Sequence, residues 1–178
     1  MMKGNSPFYP GQPIPPDFFS VRSSEIEKVL ERNIANSKRI RGFNFGLGTR
    51  DAALELFHSD NPVNFGGYSL HPAGSDTSRK IRIQVRNVAA VLAELSLEKI
   101  DVVKIDTEGA EWDILTAFPE NILRTAQYIT GELHGNKDFA LLEYLSRWFD
   151  VGMRKKLSSR LFNFQAVRNG RKNGAKNA

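Results

Sequence analysis

Hydrophobic residues recur along the chain with two spacings, and each spacing predicts a different element. Ile81, Ile83 and Val85 alternate with Arg82 and Gln84, a period of two that predicts a strand with one wet face. Other stretches repeat every three or four residues and predict helices. The predicted strands are Phe18–Val21, Ile40–Leu47, Ala53–Phe57, Ile81–Val85, Ile100–Ile105, Tyr128–Leu133, Val151–Leu157 and Phe162–Val167. The predicted helices run from Ser24 to near Asn36 and over Val88–Leu95, Glu111–Phe118 and Asp138–Phe149.

The alternation of strands and helices predicts an α/β fold with a mostly parallel sheet and helices on its faces. The last two strands are expected to form an antiparallel pair. Residues 58–79 are rich in Gly, Pro, Ser and Asn, and we expect them to form a long loop that acts as a lid or binding loop. Residues 18–168 form the predicted domain, between a proline-rich extended lead-in at 1–17 and a basic disordered tail at 169–178.

Composition excludes several classes of protein. The chain has 178 residues, 40% of them hydrophobic and 25% charged, which is enough for one domain with a packed core. It has no cysteine, so disulfide scaffolds, thiolate metal sites and cysteine nucleophiles are excluded. The longest apolar run, Val88–Ala93, is too short to span a membrane, because a spanning helix needs about 20 residues.

The positive charge of the chain is concentrated at its end. The net charge is +5, and subtracting the four basic residues Arg168, Arg171, Lys172 and Lys176 leaves +1 for the rest. No aromatic residue interrupts this basic stretch to stack on bases, so we expect no nucleic-acid partner. The N-terminus has no apolar stretch typical of a secretion signal, and a cytoplasmic location is the default expectation.

Polar residues follow three of the predicted strands, where ligands collect in open α/β sheets. Asp106 and Glu108 follow the strand that ends at Ile105, and Glu132 and His134 lie at the end of another. Gly48 and Asp51 follow Leu47. The acids can bind a cation, orient a hydroxyl or accept a proton.

Each of these groups also has a structural interpretation. Asp106 or Thr107 could cap the helix that follows, and Glu132 and His134 could form a structural hydrogen bond. Gly109 permits an unusual backbone angle or a close approach. A metal site at Glu132 and His134 would need a further ligand, for which Asp106 is the obvious donor, and we assign no metal. An alternative is a different α/β enzyme with a divalent metal among Asp106, Glu108 and Glu132.

The segment DVVKIDTEGAEWDIL, from Asp101 to Leu115, resembles the hallmark of the FkbM-type, S-adenosylmethionine-dependent methyltransferases of class I. LERNIAN, FNFGLGTRDAALEL, NFGGYSL and IRIQVRNVAAVL resemble further stretches of that family in order and spacing. The resemblance covers roughly residues 18–168. It implies a Rossmann-like sheet with strand order 3-2-1-4-5-7-6.

The resemblance implies S-adenosylmethionine as cofactor and methyl transfer to an oxygen of a small molecule or sugar. By position it assigns catalysis to Asp106, Glu108 and His134. Binding of the cofactor falls to Gly48, Asp51 and Asp106. Binding of the small-molecule acceptor falls to Asn64, Gly66, Gly67 and Glu132.

The chain lacks one motif of that family, the glycine-rich D-x-G-x-N-x-G loop after the first strand. Arg22 and Ser23 stand where a ribose-binding acid is expected. We therefore expect a sheet that is N-terminally incomplete, and self-association could complete it. The alternative function is a truncated or non-catalytic methyltransferase-like module that does not bind the cofactor on its own.

Overall fold

The structure of the protein is a computed structural model, and the description is confined to part of the chain. The described residues are 17–20, 24–37, 39–59, 68–69, 75–107, 109–134, 137–155 and 161–169. The chain divides into two compact units, Met1–Phe45 and Gly46–Ala178. No helix among the described residues is long and apolar enough to cross a membrane.

The first unit contains one helix and two parallel strands. The elements are β1 (Asp17–Ser20), α1 (Ser24–Ile34) and β2 (Ile40–Phe43). β1 pairs with β2 in parallel, with Phe19 opposite Gly42. A Cβ at Gly42 would lie 2.8 Å from Cδ2 of Leu30, so α1 packs closely on β2 at this position.

The described residues of the second unit form two four-stranded sheets and four helices. Its strands are β3 (Gly46–Gly48), β4 (Ala52–Ser59), β5 (Tyr68–Ser69), β6 (Ser75–Asn87), β7 (Val102–Ile105), β8 (Tyr128–Leu133), β9 (Phe149–Lys155) and β10 (Phe162–Arg168). Its helices are α2 (Val88–Glu94), α3 (Glu111–Ala117), α4 (Glu120–Leu123) and α5 (Asp138–Ser146).

The first of these sheets has the strand order β3-β6-β4-β5. β3 runs parallel to β6, while β4 pairs antiparallel with both β6 and β5. Only residues 49–51 join β3 to β4. A parallel neighbour would need a crossover of a dozen or more residues, so this short turn can only reverse the chain.

The second sheet has the order β7-β8-β10-β9. β7 and β8 are parallel, and β10 is antiparallel to both β8 and β9. The C-terminal antiparallel pair predicted from the sequence is confirmed by β9 and β10.

The main core lies between this second sheet and its helices. Its fully buried members include Leu115, Leu123, Ile129, Leu141 and Leu145. On the rim of this core, the ring centroids of Trp112 and Tyr144 lie 6.1 Å apart, and those of Tyr144 and Trp148 lie 5.3 Å apart. Edge-on aromatic contacts of this kind add to the burial energy and join α3 to α5. The apolar face expected for the helix that starts at Asp138 is therefore confirmed.

Three expectations need correction. The sheets are mixed rather than mostly parallel, since four of the seven described strand pairs are antiparallel. The strand expected over Ile40–Leu47 ends at Phe43 and resumes at Gly46, with a bend at Asn44 and Phe45. Residues 75–79 belong to β6 rather than to a loop, because they extend the antiparallel pairing with β4 past a register shift at Phe57.

Two smaller differences concern the ends of the chain and of α5. The predicted lead-in and basic tail lie outside the described residues, apart from Asp17 and Asn169. Helix α5 ends at Ser146, and Phe149 begins β9 instead of closing the helix. Phe149 is almost fully buried, so its apolar side chain enters the same core from a strand.

Candidate functional site at the ends of β7 and β8

The register of β7 and β8 brings two acids to the same level of the sheet. Ile105 lies opposite Gly131, so Asp106 and Glu132 are the next residues along the two parallel strands. The side chains along β8 alternate between buried and half-buried, and Glu132 lies on the half-buried side. A Cβ at Gly131 would collide with the backbone oxygen of Ile105, so glycine lets the two strands approach closely here.

His134 completes this group from the residue just beyond β8. Its Nε2 lies 3.4 Å from Oε2 of Glu132 and 3.9 Å from Oδ1 of Asp106. The imidazole is 6% exposed, while the two carboxylates are 36% and 40% exposed. The structure therefore brings together three residues expected at the site, with the imidazole at the base and the acids nearer to solvent. The three are hereafter called the strand-end cluster.

Glu111, at the start of α3, supports this cluster from inside the protein. Its Oε1 lies 3.1 Å from Nδ1 of His134 and accepts hydrogen bonds from the backbone N–H (2.9 Å) and the hydroxyl (3.1 Å) of Thr107. Its Oε2 accepts from the backbone N–H of Gly109 at 3.0 Å. Glu111 is 2% exposed, so these partners replace the water that the carboxylate has lost.

The hydrogen bonds decide the charge of this buried carboxylate. Burial raises the pKa of Glu111, but the backbone N–H groups of Glu111 itself, Thr107 and Gly109 and the Thr107 hydroxyl lower it by more. The net pKa is below the ordinary value. Glu111 therefore remains an acceptor, and Nδ1 of His134 is the nitrogen that donates to it.

The turn between β7 and α3 is built to make these contacts. Gly109 has a φ of +105°, a conformation that side chains disfavour, and the unusual backbone angle expected there is confirmed. Helix α3 has Ala110 at its N-cap position and no side-chain cap. The capping role considered for Asp106 and Thr107 is therefore not observed, and Glu111 folds back onto the turn instead.

Gly48 and Asp51 lie at the end of the other parallel pair, β3 and β6. Oδ1 of Asp51 accepts the backbone N–H of Asn87 at 2.6 Å. The Asn87 side chain donates to the carbonyl of Thr49 at 2.6 Å and accepts from the N–H of Ala90 at 2.9 Å. A Cβ at Gly48 would lie 2.7 Å from Cγ1 of Val85. Both residues thus have packing or hydrogen-bonding roles there, and their assignment to cofactor binding stays a prediction.

The remaining expected site residues fall outside the described part of the chain. These are Glu108, Asn64, Gly66 and Gly67. Glu111, by contrast, was expected only as the first residue of a helix. Its signal in the sequence is the pair Thr107 and Glu111, which is one residue longer than a capping box.

The strand-end cluster can act on a hydroxyl group or a cation. The imidazole of His134, held at Nδ1 by Glu111, directs Nε2 toward the carboxylates of Glu132 and Asp106. Such a group can accept a proton from a hydroxyl. Within the described part of the chain, three carboxylates lie at this site beside one ammonium group, that of Lys104, whose Nζ lies 3.3 Å from Oδ2 of Asp106.

Comparisons with known proteins identify a family and two relatives. Residues 18–164 match the methyltransferase FkbM domain. Methyltransferase 1 of Beauveria bassiana is 26% identical over 148 residues, covering 71% of this chain and 59% of that protein. The AMB antimetabolite synthetase AmbE of Pseudomonas aeruginosa is 37% identical over 59 residues, covering 33% of this chain and 3% of that protein. The chain thus spans less than two thirds of these relatives.

A solved structure has the same fold. The crystal structure of the methyltransferase FkbM from Methylobacillus flagellatus KT superposes with a TM-score of 0.52 at 14% identity, over 85% of this chain and 36% of that one. The family match covers most of the sequence, and it includes the strand, turn and helix that build the site. The chain belongs to the FkbM methyltransferase domain family.

Proposed function

We propose that this domain transfers a methyl group from S-adenosylmethionine to a hydroxyl oxygen of a small molecule or sugar at the strand-end cluster. The observation that carries the proposal is the cluster itself, two half-exposed carboxylates and an oriented imidazole within a methyltransferase family domain. Its position at the carboxyl ends of parallel strands is where ligands bind in α/β folds.

The side chains of the strand-end cluster suit this cofactor. S-adenosylmethionine carries a positive sulfonium, and the site has an excess of carboxylates. Asp106 offers oxygens that can accept hydrogen bonds from ribose hydroxyls. The cofactor supplies a methyl group on a good leaving group, so the protein has chiefly to position the acceptor in line.

The side chains of the site have separate roles in the reaction. The acceptor oxygen forms a bond to the methyl carbon while the carbon–sulfur bond breaks and its electron pair stays on sulfur. The hydroxyl proton passes to Nε2 of His134 or to the Asp106 carboxylate, both of which face the same space. Glu132 holds the acceptor by a hydrogen bond, and Glu111 holds the imidazole at Nδ1, which turns Nε2 toward Glu132 and Asp106.

The test is titration of the full chain with S-adenosylmethionine in a calorimeter, with S-adenosylhomocysteine as the second ligand. We expect binding heat, and at a hundredfold excess over Kd a gain of about 2.7 kcal/mol, which raises Tm by roughly 5 to 10 °C. Asp106→Asn should weaken binding, whereas Asp150→Asn, an exposed acid on β9, should not. Absence of both heat and thermal shift would reject the proposal.

A second function has one observation in its favour. Among the described residues, β7 pairs only with β8, and Val102 on β7 is 62% exposed. An exposed strand edge can pair with another chain. The alternative is a module that keeps the fold, binds no cofactor alone and self-associates through this edge. Light scattering that finds a monomer would reject this alternative.

A further inference from the structure

Four polar residues lie in one row across the second sheet, at the level of the strand-end cluster. Asn163 on β10 is paired with Glu132 on β8, and Arg154 on β9 is paired with Asn163. Asp106 follows β7 at the same level, as the register of β7 and β8 shows. Residues that are directly opposite on neighbouring strands point to the same face of a sheet. The row therefore extends from the cluster across all four strands, and we call it the polar row.

The polar row lies on the face of the sheet opposite to the main core. Side chains along a strand alternate between the two faces, and the residues next to Glu132 and Asn163, which are Leu133 and Phe164, are 4% and 1% exposed. Asn163 and Arg154 themselves are exposed. A ligand that reaches the strand-end cluster can therefore also contact the amide and the guanidinium.

The two ends of the polar row carry opposite charges. Asp106 and Glu132 are acids at one end, Arg154 is a cation at the other end, and Asn163 is a neutral amide between them. The ion pairs found among the described residues do not include Arg154. An exposed guanidinium without an acid beside it can bind a carboxylate or a phosphate group through two parallel hydrogen bonds.

The spacing of the strands sets the size of the ligand. Neighbouring strands lie about 4.8 Å apart, so the backbones of Glu132 and Arg154, two strands apart, are separated by about 10 Å. Side chains that reach inward from both positions leave a space suited to a small molecule such as a sugar. The acids repel an anionic group and Arg154 attracts it, so the row determines which end of the ligand lies at the cluster.

We propose that Arg154 and Asn163 recognise the acceptor, and that the acceptor is a sugar or hydroxy acid that carries a carboxylate or phosphate group. This inference rests on the proposed function, because it names the acceptor class of that site. Arg154 binds the anionic group, and Asn163 exchanges hydrogen bonds with a hydroxyl through its amide donor and acceptor. A hydroxyl at the other end of the molecule then lies at the acids, where the methyl group is transferred.

The experiment compares anionic and neutral ligands of similar shape with the full chain. Glucose 6-phosphate and glucuronate are each compared with glucose, with Kd from calorimetry and kcat/KM from the formation of S-adenosylhomocysteine. We expect the better of the two anionic ligands to bind at least tenfold more tightly than glucose and to have the higher kcat/KM. The order of the two shows whether the group is a phosphate or a carboxylate. Equal binding of anionic and neutral ligands, or binding of neither anionic ligand, would overturn the inference.

Three variants separate a specific contact from general attraction by positive charge. Arg154→Gln should remove the preference for anionic ligands, and Asn163→Asp, which places a further acid in the row, should weaken their binding at least tenfold. Lys155→Gln is the matched control and should keep the preference. Lys155 is the next residue of β9 and is also exposed, but it points to the opposite face, where its Nζ lies 5.0 Å from the ring centroid of Phe162. Equal losses in Arg154→Gln and Lys155→Gln would overturn the inference.

The outcomes distinguish this inference from the proposed function. A chain that binds S-adenosylmethionine but shows no preference for anionic ligands would reject the inference and keep the proposed function. A chain that binds glucose 6-phosphate or glucuronate through Arg154 but does not bind S-adenosylmethionine would keep the anion-binding role of the row and reject methyl transfer.

Discussion

The two parallel strand pairs of the second unit both end in an acid, yet their ends differ in chemistry. At β3 and β6, donors and acceptors are matched, because Asp51, Asn87 and the Thr49 carbonyl satisfy one another. At β7 and β8, carboxylate oxygens of Asp106, Glu111 and Glu132 lie 3.1 to 3.9 Å from the nitrogens of one imidazole. An acid at a strand end therefore does not by itself identify a site. The groups that surround the acid distinguish a structural hydrogen bond from a candidate binding site.

The close approach of Gly131 to Ile105 tests the comparison most strongly. Gly131→Ala should lower the free energy of unfolding by about 3 kcal/mol or more, because its Cβ would strike the backbone of Ile105 on the paired strand. Gly48→Ala, whose Cβ meets only a methyl group of Val85, should cost about 1 kcal/mol. Urea unfolding of both variants measures the difference. Equal losses would mean that the two strand pairs are equally tight.

Asp106→Asn tests whether the site at the ends of β7 and β8 performs chemistry. Methyl transfer to the best acceptor from a panel of sugars should fall about a hundredfold or more, since the variant loses a charged acceptor at the reacting group. The free energy of unfolding should change by less than about 0.5 kcal/mol, because the side chain is exposed and caps no helix. Formation of S-adenosylhomocysteine measures the first quantity. Full activity with lower stability would make Asp106 a structural residue.

Glu111→Gln tests the support behind His134. The amide replaces one acceptor oxygen by a donor that must face N–H groups in a buried place. We expect the free energy of unfolding at pH 7 to fall by about 2 kcal/mol, typical of a lost charged hydrogen bond. Thermal melting measures this loss, with the exposed Glu143→Gln on α5 as control. An unchanged Tm would show that the buried network contributes no stability.

Asn87→Ala probes the ends of β3 and β6 and should have the smallest effect. It removes the N-cap acceptor of α2 and the donor to Thr49, and such a cap contributes about 1 kcal/mol. The double variant with Asp51→Ala should cost more than either single change, because Asp51 accepts the backbone N–H of Asn87, which alanine retains. Chemical denaturation of the three variants provides the check. A double variant no less stable than Asn87→Ala would contradict this independence.

The sequence predicted most elements because their patterns are local. The β-branched run at Ile100–Ile105 is enough to predict a strand, and the paired leucines of α5 are enough to predict a buried face. The sequence did not predict that β4 would pair with β6 or that β6 would extend back to Ser75. Those features depend on pairing between segments far apart in the chain, which local patterns do not specify.

The same distinction applies to the site. Asp106, Glu132 and His134 were identifiable because parallel strands place their carboxyl ends at a common edge. Glu111 was not, since its role follows from a turn geometry that only the positive φ of Gly109 produces. The spacing of Thr107 and Glu111 is one residue longer than a capping box, and it does not specify that a buried carboxylate folds back toward the strand.

All four polar groups of the site come from residues 106–134, a continuous segment that contains α3, α4 and β8. Contacts between residues close in sequence form early in folding, because their loop-closure entropy is small. We expect that hydrogen exchange during refolding will show protection of β7 and β8 before β10 pairs antiparallel with β8. The residues of the site would then reach their native arrangement before much of the fold has formed.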